Sequence, residues 1–140
     1  MRTTRREFVD SNIWVYAHDA REPEKQRKAR EFLSELETNA TIVISTQVLL
    51  EFYSIATRKL GMPALEARSA ASKIGSLDVV GASLELVQEA MDITVLHQLS
   101  VWDAMILAAA KARRCPVLWS EDLAEGTVLM GVKVKNPFSL

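Results

Sequence analysis

Short apolar runs, set apart by segments of helical period, limit most strongly what this chain can fold into. Phe8-Val9, Thr41-Ile42-Val43-Ile44 and Pro116-Val117-Leu118-Trp119 are such runs. The second is β-branched throughout and lacks polar alternation, the pattern of a strand covered on both faces. Between the runs, Ala29, Phe32, Leu33 and Leu36 repeat at i, i+3, i+4 and i+7, an amphipathic helical stripe. Leu49, Phe52, Ala56 and Leu60 mark a second buried helical face. Pro23 and Pro63 suit first turns, and Gly61 and Gly75 suit C-terminal stops. Helices are predicted over Ile13 to His18, capped by Ser11 or Asn12, and from Pro23 to Asn39. Four more run from about Gln47 to Gly61, from Pro63 to Ile74, from about Leu84 toward Val95, and from after Ser100 to Arg114. Asp78-Val79-Val80 is a weaker strand. Val132-Lys133-Val134-Lys135 alternates with its lysines outward, as an edge strand would. The alternation predicts an α/β fold, a parallel sheet with helices on both faces. Polar groups of function then gather beyond the carboxyl ends of the strands.

Composition bounds the partners. The 140 residues, 49% hydrophobic and 25% charged, fit one globular domain spanning 1–140. The longest apolar run, Ala104 to Ala110, is far short of a membrane span. Arg2, Arg5 and Arg6 lead into Glu7 and Asp10, where a secretory signal needs an apolar stretch. The lone Cys115 excludes an internal disulfide and a cysteine-based zinc cluster. A cytoplasmic protein with a buried, reduced thiol is expected. A net charge of −1 gives no global pull toward a polyanion. Residues 1–30 nevertheless carry eight Lys or Arg against five Asp or Glu. Residues 74–110 carry no Lys or Arg and hold Asp78, Glu85, Glu89, Asp92 and Asp103.

Four acids stand where strands end or helices begin. Asp10 follows a strand, which also suits a helix cap. Asp103 is three residues after Ser100, as in a capping box. Glu51 lies in Val48-Leu49-Leu50-Glu51-Phe52-Tyr53, at the lip of a buried helical face with no Lys or Arg at i±4. Asp122 follows Ser120 and Glu121 just after the last apolar run, and also suits a turn. Converging carboxylates raise one another's pKa, and a hard divalent cation resolves the conflict. Mg²⁺ takes oxygen ligands, often one or two carboxylates plus substrate phosphate, which fits phosphodiester hydrolysis. Ser11, Asn12 and Ser120 would orient water there without adding charge.

Phe8-Val9-Asp10-Ser11-Asn12, Thr46-Gln47-Val48-Leu49-Leu50-Glu51-Phe52, Asp103-Ala104-Met105-Ile106-Leu107-Ala108 and Ser120-Glu121-Asp122 occur in the order of the PIN-domain motifs. The chain resembles a VapC-type toxin ribonuclease from Phe8 to Phe138, and Asn136-Pro137-Phe138 is similar to the close of some members. The resemblance implies a three-layer α/β/α sandwich with a short central parallel sheet. It implies Mg²⁺- or Mn²⁺-dependent RNA cleavage, a homodimer and inhibition by a cognate antitoxin. Asp10, Glu51 and Asp103 match the family's first three acids. The fourth falls on Asp122 or Glu121, with Asp122 the better match. Here Ser replaces the usual Thr, and no aromatic residue follows. Asp10 and Asp103 are expected to hold the metal, directly or through water. Glu51 would hold metal water or aid its deprotonation, and Asp122 would complete the pocket.

Two other readings compete. Asp10 could act as a covalent nucleophile in phosphoryl transfer, although no second acid stands two residues on. A PIN-like module could also bind partners without turnover. His18 and His97 are isolated. Trp14, Trp102 and Trp119 are expected in the core, as are Met91, Met105 and Met130. Glu24 and Glu31 should pair with Lys28 and Arg27 along one helix.

Overall fold

The computed structural model describes residues 5–139. In chain order the elements are β1 (Arg5–Val9), α1 (Ser11–Ala17), α2 (Pro23–Asn39), β2 (Ala40–Ser45), α3 (Thr46–Arg58) and α4 (Ala64–Ile74). There follow β3 (Asp78–Val80), α5 (Leu84–His97), α6 (Val101–Ala112), β4 (Val117–Trp119), β5 (Val128–Leu129), β6 (Val132–Lys135) and a 3-10 turn over Pro137–Ser139. The strands form one sheet in the order β3-β2-β1-β4-β6-β5. All neighbours pair parallel except β5 with β6.

This order explains the layers. The connections from β1 to β2 and from β2 to β3 step one way along the sheet, and the connection from β3 to β4 steps back past β1. Right-handed crossovers therefore put α1 to α4 on one face and α5 and α6 on the other. The contacts agree: α1 packs on α2 and α3, and α3 on α4, whereas α5 packs on α6, which lies against β2, β4 and β6. The result is the expected three-layer α/β/α arrangement.

Side-chain alternation feeds both layers. Phe8, Val43 and Leu118 are register partners, fully buried, and share one face of the sheet. Val9 and Trp119 share the other. There the Trp119 ring meets Phe32 of α2 edge-on at 4.7 Å. Its indole N–H donates to the buried Glu7 Oε1 at 2.7 Å. The alanines of α6, Ala104 and Ala108 to Ala110, are buried between α5 and the sheet, where small side chains permit close approach.

Several expectations need correction. The first helix is capped by Asp10, whose Oδ1 accepts from the Ser11 N–H at 2.7 Å, not by Ser11 or Asn12. β6 is not an edge strand, because β5 pairs along its far side. Met130 and Gly131 join the two with φ of 53° and 80°, a two-residue hairpin turn with both residues left-handed. Trp102 is 67% exposed and Met91 47% exposed, so neither belongs to the core. Trp14 and Trp119 do. Glu31 pairs with Arg27 as expected, but Glu24 pairs with Arg27 and not with Lys28. Two acids of the 74–110 stretch find cations just outside it, Asp78 on Arg113 and Glu89 on Lys111. Among the described residues no single helix is long and apolar enough to cross a membrane. Arg2, part of the basic opening, lies outside the described residues.

Candidate active site

The strand order reverses between β1 and β4, and in open parallel sheets a crevice forms beyond the strand ends at such a point. Asp10 leaves the end of β1, and Ser120 leaves the end of β4. Glu51 comes from the second turn of α3 and Asp103 from the first turn of α6. Ser45 and Ser100 fix these helix starts by accepting N–H donors from Val48 at 3.3 Å and Asp103 at 3.1 Å. Asp10, Glu51, Asp103 and Asp122 thus line one cleft of about 230 Å³. Ser11, Gln47 and Ser54 line it with them, and among the described residues no Lys or Arg does.

A hydrogen-bond network sets the acids. Ser120 Oγ donates to Asp10 Oδ2 at 2.8 Å. Ser11 Oγ donates to Glu51 Oε1 at 3.1 Å, and Gln47 Nε2 to Glu51 Oε2 at 3.3 Å. Asn12 Nδ2 donates to Asp122 Oδ2 at 3.0 Å. These donors are neutral, so they orient the carboxylates without cancelling their charge. Asp10 is 7% exposed. Its pKa rises from 3.8 to about 6, chiefly because burial disfavours the charged form. The Ser120 and Ser11 bonds oppose the rise, and the charges of Glu51 and Asp122 add to it.

The fourth position, open between Asp122 and Glu121, divides cleanly in space. Glu121 turns away: its carboxylate accepts from Tyr16 Oη at 2.8 Å and pairs with Lys25. Asp122 is the one at the cleft. Sequence reasoning missed Gln47 and Ser54. Gln47 stands at i−4 from Glu51, a spacing that would have suggested it as a partner.

All of the cleft's charged donors are carboxylate oxygens, the chemistry of a hard cation site. Among the described residues no three His, Cys, Asp or Glu side chains are grouped to grip an ion directly. The set fits a cation that keeps several waters and takes one or two carboxylates, as Mg²⁺ does. A larger groove of about 620 Å³, lined by Leu33, Met62, Ile74 and Leu77, shares no lining residue with the acidic cleft.

The model of the PIN domain family matches residues 8–124. The chain belongs to the PIN domain family. The matched segment carries all four cleft acids. Solved structures of VapC and VapBC proteins share the fold. VapC20 of Mycobacterium tuberculosis, a sarcin-ricin loop cleaving toxin, is 22% identical, with a TM-score of 0.61 over 83% of this chain and 91% of its own. VapBC2 of Rickettsia felis, bound to a DNA fragment from its promoter, is 23% identical, with a TM-score of 0.66 over 94% and 98%. DNA-bound VapBC of Salmonella typhimurium is 18% identical, with a TM-score of 0.69 over 96% and 99%. A comparison with curated proteins finds no match.

Proposed function

We propose that this PIN domain is a divalent-metal-dependent endoribonuclease, the toxin of a toxin–antitoxin pair. The carrying observation is the cleft: four carboxylates from four separate segments, with no Lys or Arg lining it among the described residues. So much uncompensated charge around a buried Asp10 is a standing cost in the absence of a cation. Its relatives in fold include a toxin that cleaves the sarcin-ricin loop and complexes of VapB with VapC, which supports RNA as substrate and an antitoxin as partner.

Asp10 and Asp103 would hold Mg²⁺ or Mn²⁺, directly or through water. When bound, the cation supplies charge neutralisation at the phosphate and lowers the pKa of water. Glu51, tied to Ser11 and Gln47, orients the attacking water and accepts its proton. Asp122, held by Asn12, completes the acidic rim. Attack by water in line with the leaving 3′ oxygen breaks the P–O3′ bond and leaves a 5′-phosphate and a 3′-hydroxyl. A homodimer and a cytoplasmic location accompany this reading. Sedimentation at micromolar concentration tests the first.

The covalent reading is weaker. Residue 12, two positions after Asp10, is Asn and not a second acid that could protonate a leaving group. The deciding experiment incubates the protein with total RNA, with and without Mg²⁺ or Mn²⁺, and maps the cut ends. Ends bearing a 2′,3′-cyclic phosphate would mean that the RNA's own hydroxyl attacked, and would overturn the hydrolytic mechanism.

A further inference from the structure

Glu121 is a fifth carboxylate, adjacent to the acidic cleft and absent from its lining. What removes it is a polar clamp on the far side of α1. Glu121 Oε1 accepts from Tyr16 Oη at 2.8 Å, and Oε2 accepts from Lys25 Nζ. Lys25 Nζ also donates to Tyr16 Oη at 3.2 Å and lies 4.3 Å above the Tyr16 ring and 5.0 Å from that of Phe138. Phe138 meets Tyr16 edge-on at 5.2 Å. The side chains of Lys25 and Glu121 are only 35% and 25% exposed. Aromatic walls and partial burial make this pair stronger than the exposed Arg27 pairs along α2.

The clamp acts on the segment that carries Asp122. Glu121 N–H donates to Asn12 Oδ1 at 3.2 Å, and the other end of the same amide donates to Asp122 Oδ2 at 3.0 Å. The N–H groups of Asp122 and Leu123 donate to Ser120 Oγ at 3.2 and 3.4 Å, the hydroxyl that donates to Asp10. Glu121 is therefore held by its backbone on α1 and by its side chain on α1 and α2, while Asp122 beside it lines the cleft. We propose that Lys25 is a positioning residue for the fourth acid. Its pairing with Glu121 fixes residues 120–123 so that Asp122 points into the cleft, and keeps the extra carboxylate out. This rests on the metal-dependent ribonuclease reading.

Two near-isosteric variants test it. Lys25→Met keeps an apolar stem over Tyr16 and Phe138. Glu121→Gln keeps the Tyr16 hydrogen bond and loses the ion pair. A plain charge effect moves cation affinity in opposite directions, since the first variant makes the region more negative and the second less so. Positioning moves both the same way. Mn²⁺ binding measured by calorimetry is expected to weaken about tenfold in each, the low end for partners that orient metal ligands. The double variant should be no weaker than the weaker single one, because both remove one interaction. In metal-free protein, hydrogen exchange at the Asp122 and Leu123 amides should speed up in both variants, with the amides of β1 unchanged. Opposite changes in Mn²⁺ affinity, or unchanged exchange at those two amides, would overturn the proposal. Wild-type protein that binds no Mn²⁺ would instead overturn the ribonuclease reading, and the exchange data would still decide whether Lys25 holds the segment.

Discussion

Replacing Asp10 by Asn should stabilise the metal-free protein while abolishing its activity. The carboxyl of Asp10 is buried and its pKa rises from 3.8 to about 6. At neutral pH that rise corresponds to a penalty of about 3 kcal/mol on the folded state, at 1.36 kcal/mol per pKa unit. Asn has nearly the same shape and no charge. Its carbonyl still accepts from Ser11 or Ser120, and Asn remains a good N-cap. The amide gives up a charge-assisted bond and sets its NH₂ near Asn12 Nδ2, which stands 3.4 Å from Asp10 Oδ2. Those losses offset about 1–2 kcal/mol. A net gain of about 1–2 kcal/mol remains, or a few degrees in Tm for a chain of this size.

The pH dependence identifies the cause. A carboxyl raised in the folded state contributes no penalty below its unfolded value, and the penalty grows as pH rises from 3.8 through about 6. The advantage of Asp10→Asn should therefore be full at about pH 7.5 and gone by about pH 4. Melts of both proteins in chelator at the two pH values measure this. An Asp10→Asn protein less stable than wild type at the higher pH, or a difference unaffected by pH, would refute the charge argument and leave Asp10 as a helix cap.

Mg²⁺ or Mn²⁺ should raise the Tm of wild type, with reversal by chelator, and raise that of Asp10→Asn and Asp103→Asn much less. Glu51→Gln and Asp103→Asn should each lower RNA cleavage by about 100-fold or more while far-UV circular dichroism stays unchanged. At saturating metal Asp122→Asn should cost more activity than Glu121→Gln, since only Asp122 lines the cleft. Burial pushes the Cys115 thiol up to about 12, so an aromatic disulfide reagent at neutral pH should label it only after urea is added.

Much of this organisation was legible in the residues, for physical reasons. Thr41 to Ile44 reads as a buried strand because β-branched side chains suit a covered sheet and little else. That Asp10, Glu51 and Asp103 gather in one cleft was legible from their places at a strand end, on the lip of a buried helical face and at a helix start. The β5–β6 hairpin was hidden, since its turn uses Met130, a residue that rarely adopts a left-handed backbone, at φ 53°. Trp102 misled because size and hydropathy say nothing of which side of a helix start faces outward. The choice between Glu121 and Asp122 needed three dimensions. It depends on Tyr16 and Lys25, which lie 105 and 96 residues away in sequence.

The central claim is that the four-carboxylate cleft hydrolyses RNA with a divalent cation. Purified wild type and Asp10→Asn proteins incubated with total RNA, with Mg²⁺ or in chelator, test it most directly when the new ends are sequenced. The expected result is discrete cuts bearing 5′-phosphate and 3′-hydroxyl ends in wild type with Mg²⁺, and none in chelator or in the variant. Equal cleavage by Asp10→Asn, or cleavage by wild type that persists in chelator, would contradict it.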